Sequence, residues 1–519
     1  MASYRDGRVN RNLVPSEPGI TPSYWCTWAA QNYAYGQGAE TLDYQLLEGK
    51  QGALLARNAL NEEQLFGEKG WLRTFYPGVR GDLLVVLDDG WDVPFDIEQQ
   101  PDYFGCLELS VERFPSFTGE PSVRLAQLSR AVRNLGWKGL GLWVAAQEAA
   151  GAWKPGMTQE GYWRERLRWS HAAGIKYWKV DWGKHAGSPG FRRMLTALAR
   201  QEAPELIIEH IKTIGPENAA DGRAPQEFIE RIAGLSAFAA VVRTYDVTAP
   251  LSIPTTLDRT TGLLASAPAF NGSGLINCED EPYIAAALGC AIGVMRHPLI
   301  GLRPQGDLDP FFGGPHCAKR RLDEVVRAVR WQRSAPACGF SEGAVEVDER
   351  ILWDEWTYKQ GETWRTKLVG ERLRQGAPAR VARGLPLPQV AAEGEPPYVV
   401  ASHHPNGAVA IAALPRTSPE LGSYMPAADV TLDLSAFDSV GPIGVFGRYR
   451  SLTLQYPRSL RNARVWAQDL AADWCVEITA DVELSDNRLC VPGKVISHIG
   501  IAGAASGDLS APGMVLVVE

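Results

Sequence analysis

Short apolar runs alternate with amphipathic stretches over roughly the first 340 residues of the chain. An apolar run of four to eight residues that ends in polar punctuation predicts a buried strand, and apolar positions at helical spacing predict a helix. The predicted strands are Leu83–Leu87, Gly139–Ala145, the run before Asp181, Leu206–Glu209, Ala239–Arg243, Leu275–Ile276 and Ala291–Val294. The predicted helices are Ser122–Leu135, Gly161–Ala173, Phe191–Gln201, Gln226–Ile232 and Leu322–Trp331. About eight such strand–helix units predict a parallel (β/α)8 barrel over residues 1–340.

The pattern changes after about residue 340. Tyr398–Ser402 and Ala408–Ala413 flank Asn406-Gly407, which predicts a hairpin. Further alternating segments predict a C-terminal antiparallel β-sandwich over residues 396–519. The charged, Pro/Gly-rich stretch 341–395 is interpreted as a linker or a long insertion, with a helix against the barrel as a further alternative for part of it.

Composition excludes several classes of partner. Lys+Arg 52 against Asp+Glu 60 gives a net charge of −8, and no long basic run occurs, which argues against nucleic acid and anionic membranes as partners. Neither a membrane span nor a signal peptide is visible, which predicts a cytoplasmic protein, or a secreted or periplasmic one if a signal was removed. The 8 cysteines form no CxxC pair, so neither a metal nor another cofactor is expected. The choice between monomer and homo-oligomer stays open.

Charged residues follow the predicted strands at the end where barrels carry their chemistry. Lys179 and Asp181 are two apart, so in a strand they point the same way, and the ammonium would hold the carboxylate ionised for nucleophilic attack. Further polar groups follow neighbouring strands: Asp88, Asp89, Glu209, Arg243 and Asp246. The sequence therefore predicts one polar site at the mouth of the barrel.

Several of these segments resemble motifs of the melibiase-type α-galactosidases of glycoside hydrolase families 27 and 36. The segment 22–28, Pro-Ser-Tyr-Trp-Cys-Thr-Trp, is similar to their first strand, and Asp88-Asp89-Gly90-Trp91 to their second-strand motif. Lys179-Val180-Asp181 is similar to the Lys-x-Asp that carries their nucleophile. The segment 243–246, Arg-Thr-Tyr-Asp, resembles the arginine and acid/base aspartate after their sixth strand, and 291–299 their eighth strand.

This resemblance implies a retaining exo-glycosidase that removes terminal α-galactosyl-type residues from oligo- or polysaccharides. Asp181 would be the nucleophile and Asp246 the acid/base. Two carboxyl groups roughly 5–5.5 Å apart, one ionised and one protonated, are what retention requires. The implied substrate-binding residues are Trp28, Asp88, Asp89, Trp143, Lys179, Glu209 and Arg243.

Alternatives remain open. On the same fold they are a β-L-arabinopyranosidase or an isomalto-dextranase-like hydrolase, and from another class a non-catalytic carbohydrate-binding protein. The spacing from Arg243 to Asp246 is one residue shorter than in family 27, which leaves Asp258 as a second acid/base candidate. The region 271–274, interpreted as the seventh strand, lacks the aspartate often found there. Glu209 favours a sugar with a 2-hydroxyl over one with a 2-acetamido group.

Overall fold

The computed structural model describes residues 7–37, 50–97, 103–211, 222–244, 250–298, 321–358, 368 and 370–519. Within these residues eight parallel strands form one sheet. They are β1 (Tyr24–Cys26), β2 (Leu84–Leu87), β3 (Gly139–Val144), β4 (Tyr177–Val180), β5 (Ile207–Ile211), β6 (Val241–Arg243), β7 (Leu275–Asn277) and β8 (Gly293–Val294). β8 pairs with β1, and a parallel bridge from Asn277 to Ala291 joins β7 to the approach of β8, so the sheet closes into the predicted barrel.

Helices surround the barrel, and local signals define several of their ends. The α-helices of the described residues are Trp28–Gln37, Lys50–Ala59, Glu62–Phe66, Trp71–Thr74, Pro121–Asn134, Gln159–Ala173, Pro189–Glu202, Gln226–Ala233, Ser252–Ser266, Pro282–Leu288, Leu322–Ser334 and Gly493–Ile499. The Thr158 and Ser188 side chains cap the helices that begin at Gln159 and Pro189. Gly174, with φ of 67°, ends the helix Gln159–Ala173 in the left-handed region. No helix in these segments is both long and apolar enough to cross a membrane.

The C-terminal region is a β-sandwich, as the sequence predicts. One sheet of the described residues contains, in spatial order, Arg8–Val9, Cys475–Glu477, Val465–Asp469, Gly513–Val518, Ile443–Gly447, Val409–Leu414, Tyr398–His403, Arg380–Arg383 and Val345–Val347. The other contains Gln389–Ala392, Ala428–Asp433, Ser451–Gln455, Arg488–Pro492 and Glu483–Ser485. Side chains from both sheets form one apolar cluster between them. Most neighbouring strands are antiparallel, but three pairs are parallel, so the sheets are mixed.

Two hairpins flank the sandwich. Ile351–Thr357 pairs with Arg372–Pro378, and Arg416–Ser418 pairs with Gly422–Tyr424. Strands therefore occupy most of the described residues of 341–395, the stretch that the sequence analysis interpreted as a linker or a long insertion. The predicted Asn-Gly hairpin is present, with Tyr398–His403 antiparallel to Val409–Leu414 and Gly407 at φ of 86°.

Barrel and sandwich share one apolar core. The barrel helix Leu322–Ser334 places Trp331 against Phe446 of the sandwich, with ring centroids 6.2 Å apart. In the same interface Arg327 binds Asp469 through two hydrogen bonds of 2.8 and 3.1 Å, and neither side chain is exposed. The sandwich is thus anchored to the barrel by both apolar packing and a buried ion pair.

Candidate active site

The carboxylate of Asp181 follows β4 directly and lies at the carboxyl end of the barrel. Its backbone N–H donates to the Val144 carbonyl at 3.0 Å, which extends the β3–β4 pairing by one residue. The indole Nε1 of Trp143 donates to Asp181 Oδ2 at 3.0 Å. Trp143 is 1% exposed, whereas Asp181 is half-buried. The structure therefore orients this carboxylate from below by a buried donor and leaves part of it accessible from the mouth.

Aromatic rings that sequence reasoning missed surround this carboxylate. The ring of Trp182 lies 5.2 Å from Trp143 and 5.1 Å from Phe104, measured between centroids. Gly183 turns the chain at φ of 141°. A hint was available in the sequence, since Trp182 directly follows Asp181, but nothing local to Phe104 indicates that it reaches the same place.

Lys179 binds a different carboxylate from the one that the sequence pattern suggested. Its Nζ donates to Asp88 Oδ2 at 2.6 Å and approaches Cys26 Sγ at 3.5 Å, and no ion pair joins it to Asp181 within 4.0 Å. The reason is geometric: both side chains face inward, but Asp181 lies beyond the end of the strand, whereas Lys179 points into the layer that Asp88 occupies. The expectation that Lys179 directly holds Asp181 ionised is therefore wrong for this structure.

The Asp88–Lys179 pair is a buried ion pair. Burial alone would raise the pKa of Asp88, but Lys179 and the Cys26 thiol hold that pKa below its ordinary value. Burial works against the charge of Lys179, yet the nearby Asp88 raises its pKa above the ordinary value. Burial and Asp88 raise the pKa of Cys26, which keeps it a thiol and makes a nucleophilic role unfavourable.

Asp89 is held by an arginine that sequence reasoning did not single out. Arg57, on the helix Lys50–Ala59, donates to both oxygens of Asp89 at 2.9 and 2.8 Å. The same guanidinium lies 4.7 Å from the centroid of Phe104. Burial raises the pKa of Asp89 to about 6 despite the arginine. No periodicity links Arg57 to Asp89, so this pairing could not be found from local pattern.

Glu209 lies deeper than expected. Strand β5 ends at Ile211, two residues beyond the predicted end, so Glu209 belongs to the barrel interior and not to the mouth. Its carboxylate accepts hydrogen bonds from Tyr24 at 3.1 Å, Tyr177 at 2.9 Å and Asn277 at 2.5 Å, and the residue is fully buried. Its oxygens are already bound within the chain, and the substrate-binding role that the resemblance implies for Glu209 stays a prediction.

Arg243 ends β6 and is fully buried. Its Nη2 donates to Glu279 Oε1 at 2.5 Å. The predicted strand Leu275–Ile276 agrees with β7 (Leu275–Asn277), but the search for an acid here was confined to 271–274, and Glu279, which follows the strand, was missed. The neighbouring Asp280 accepts from the backbone N–H groups of Met295 and Arg296, so acidic residues do follow this strand. Arg243 is thus charge-compensated in the interior of the site.

The structure describes only one of the two acid/base candidates. Asp246 lies outside the described residues. Asp258 lies on the helix Ser252–Ser266, is 3% exposed, and pairs with Arg223 at 2.7 Å and Arg259 at 2.6 Å. Its two oxygens accept hydrogen bonds from these two guanidinium groups and from the backbone N–H of Ala224. The assignment of the acid/base to Asp246 or Asp258 stays a prediction.

Trp28 completes the predicted set. It follows β1, is half-buried, and packs on the interior cluster that contains Tyr24 and Cys26. The structure thus brings Trp28, Asp88, Asp89, Trp143, Lys179 and Asp181 to one end of the barrel. In the strand register Glu209 is level with Lys179, and Arg243 is paired with Ile211, two residues further along β5. Among the described residues no group of three or more His, Cys, Asp or Glu side chains is arranged to hold a metal ion.

The sequence matches no protein-family model and no curated protein sequence. The structure is similar to that of a family-27 β-L-arabinopyranosidase from Geobacillus stearothermophilus, at 12% identity and a TM-score of 0.39, covering 96% of each chain. It is also similar to α-galactosidase I from Mortierella vinacea, at 12% identity and a TM-score of 0.38, covering 96% of this chain and 97% of that one. An α-galactosidase from Saccharomyces cerevisiae aligns at 10% identity and a TM-score of 0.34, covering 97% of each chain.

Proposed function

We propose that this chain is a retaining exo-glycoside hydrolase that removes terminal α-galactosyl-type residues through a glycosyl–aspartate at Asp181. The observation that carries the proposal is the half-buried Asp181 carboxylate at the barrel mouth, oriented by the buried Trp143 indole at 3.0 Å. A nucleophile needs this combination of fixed direction and access from solvent. The sequence motifs around Lys179-Val180-Asp181 and Asp88-Asp89 support the same assignment.

In the first step a carboxylate oxygen of Asp181 bonds to the anomeric carbon, and the bond from that carbon to the leaving-group oxygen breaks. The departing oxygen takes a proton from the general acid, for which Asp246 is the candidate. In the second step water gives a proton to the same residue, now the base, and bonds to the anomeric carbon, which releases Asp181. Two inversions at one carbon retain the anomeric configuration.

Charge placement fits a neutral sugar in this site. Lys179 compensates the negative charge of Asp88, and Arg57 compensates that of Asp89. Each acid is thereby a fixed hydrogen-bond acceptor, and we propose that the two accept from the axial and primary hydroxyl groups of galactose, as the motif resemblance implies. The half-buried Trp28 and Trp182, the latter packed on the buried Trp143, supply aromatic surface for the less polar side of the sugar ring.

The test is the release of chromophore from four aryl glycosides: the α-D-galactoside, the β-L-arabinopyranoside, the α-N-acetylgalactosaminide and the α-glucoside. We expect the highest kcat/KM on the α-galactoside and loss of several orders of magnitude in Asp181→Asn. A preference for the arabinopyranoside would keep the mechanism and replace the sugar. No turnover of any of the four by a folded protein that still binds galactose would favour the non-catalytic alternative.

A further inference from the structure

A cavity of about 270 Å³ lies where the barrel meets the sandwich. The barrel side is formed by residues that follow β6 and β7, among them Ser252 and Glu281. The sandwich side includes Thr417 and Tyr424 of the hairpin Arg416–Ser418/Gly422–Tyr424. The carboxyl ends of β6 and β7 belong to the same end of the barrel as Asp181, so the barrel wall of this cavity lies at that end.

A second cavity of about 400 Å³ adjoins the same hairpin. Its walls include Leu352 and Trp353 of the strand Ile351–Thr357, together with Thr417 and Tyr424. Because Thr417 and Tyr424 line both cavities, the two are neighbours across one side-chain wall. We name them together the Tyr424 groove. Each volume is close to the lower end of the roughly 300–1,000 Å³ typical of ligand pockets.

Among the described residues, the charges that line the Tyr424 groove balance. Two arginines and two glutamates line the first cavity, and three arginines and three glutamates line the second. Several are paired, such as Arg350 with Glu395 at 3.2 Å and Arg416 with Glu395 at 3.7 Å. A groove without net charge offers no advantage to nucleic acid or to a strongly charged peptide. Its paired charges present fixed donors and acceptors that suit a neutral, hydroxyl-rich ligand.

The groove also carries aromatic rings and hydroxyl groups. Tyr424 and Trp353 are both half-buried, so each keeps an accessible part of its ring. Partial burial raises the pKa of Tyr424, which keeps its hydroxyl a hydrogen-bond donor. Thr417, Ser418 and Ser423 add hydroxyls along the walls. Rings flanked by hydroxyls and paired charges are a combination that binds sugar residues by ring contact and hydrogen bonding together.

We propose that the Tyr424 groove binds neutral sugar residues of a polysaccharide chain, the polymeric part of the substrate from which the terminal residue is removed. This inference rests on the glycosidase function proposed above. It assigns the natural substrate to branched neutral polysaccharides and not to short oligosaccharides, because a short substrate would have no residue to place in a groove outside the barrel mouth.

The test compares Tyr424→Ala, which removes the ring, with Tyr424→Phe, which keeps it. Trp474→Ala is the control, since Trp474 is a half-buried ring near the opposite edge of the larger sheet. We expect Tyr424→Ala to keep kcat/KM on the aryl α-galactoside within about twofold and to lose at least about fivefold on galactomannan, mainly through KM. Trp474→Ala should resemble the wild type on both substrates, and Tyr424→Phe, which loses only the hydroxyl, should fall between the wild type and Tyr424→Ala on galactomannan. An unchanged ratio of the two kcat/KM values in Tyr424→Ala would overturn the proposal.

Binding without turnover separates this inference from the proposed function. Electrophoresis of Asp181→Asn through gels that contain galactomannan should show retardation, and adding Tyr424→Ala should abolish it. Absence of retardation in Asp181→Asn, with the protein shown to be folded by its thermal transition, would refute the groove. Retardation by a wild type that cleaves no aryl glycoside would instead retain the groove and reject the hydrolase.

Discussion

Lys179 donates to Asp88 across 2.6 Å, although it is two residues from Asp181 on the same side of the chain. The nucleophile candidate is therefore oriented by Trp143, while the lysine neutralises the acid proposed to bind a sugar hydroxyl. The Lys179–Asp88 ion pair therefore fixes the acid that we propose binds the sugar. The Trp143 indole orients the Asp181 carboxylate that we propose as the nucleophile.

Removing the buried ammonium should be costly. Lys179→Met leaves Asp88 buried without its cation, and breaking one side of a buried pair costs about 3–5 kcal/mol. Lys176→Met is the matched control, since its 2.5 Å pair with Glu205 is exposed and such pairs contribute about 0–1 kcal/mol. Urea titration gives both free energies of unfolding. Equal small losses in the two variants would show that Asp88 finds another way to lose its charge.

Asp92 should make stability fall as pH rises. Burial raises its pKa to about 7, and no ion pair offsets this among the described residues. The unfolded chain releases this proton near pH 4 and the folded chain near pH 7, so the contribution favours folding below that window and is lost across it. The difference of about three pH units between the unfolded and the folded pKa of Asp92 corresponds to at most roughly 4 kcal/mol in the free energy of unfolding.

The variant Asp92→Asn removes this titration. Its free energy of unfolding, relative to that of the wild type, should rise by about 2–4 kcal/mol between about pH 4.5 and about pH 8. A difference that stays flat with pH for Asp92→Asn would mean that the folded protein already holds Asp92 ionised at neutral pH.

Gly183 should be required for the aromatic wall of the site. Its φ is 141°, and a Cβ there would lie 2.7 Å from the backbone carbon of Ala146. Gly183→Ala therefore has to move the turn that carries Trp182, and we expect at least tenfold lower kcat on the aryl galactoside and a lower Tm. Gly187→Ala, in the same loop with open space around it, should be close to wild type. Full activity in Gly183→Ala would show that Trp182 does not shape the site.

The contact between barrel and sandwich should depend on Asp469. Asp469→Asn leaves Arg327 buried without a counter-ion, which we expect to lower the free energy of unfolding by about 3–5 kcal/mol. Asp473→Asn removes the ion pair with Arg330, in which the Asp473 side chain is largely exposed. Its free energy of unfolding should therefore fall by less than about 1 kcal/mol. Denaturant unfolding measures both. Similar values would indicate that apolar packing alone holds the two regions together.

The fold was predictable because most barrel strands are short, buried and largely apolar runs, and such runs can be recognised locally in the sequence. The second strand, for example, was placed within one residue of its observed start at Leu84. The hairpin strand Ile351–Thr357 was not found, because the buried Asp354, paired with Arg416 at 2.6 Å, interrupts its apolar alternation. A strand whose inward face carries a buried ion pair cannot be recognised from its hydrophobic pattern alone.

The places of several acids were predictable from the strand ends, but their partners were not. Asp88, Asp89 and Asp181 lie at the carboxyl end of the barrel, where the sequence placed them. The end of β5 was predicted two residues too early, so Glu209 was expected at the mouth and lies in the interior. Arg57 and Glu279 were missed because each finds its partner more than 30 residues away, at Asp89 and Arg243. Such contacts form only when the barrel closes, so they produce no periodic pattern in the sequence.

The most direct test of the central claim is azide rescue of Asp181→Ala on the aryl α-galactoside. If Asp181 is the nucleophile, the variant loses several orders of magnitude in kcat, and azide restores turnover by bonding to the anomeric carbon in its place. The product should then be the β-galactosyl azide, the inverted anomer, since only one displacement occurs. A variant that keeps activity within about tenfold of the wild type, and forms no glycosyl azide, would contradict the account.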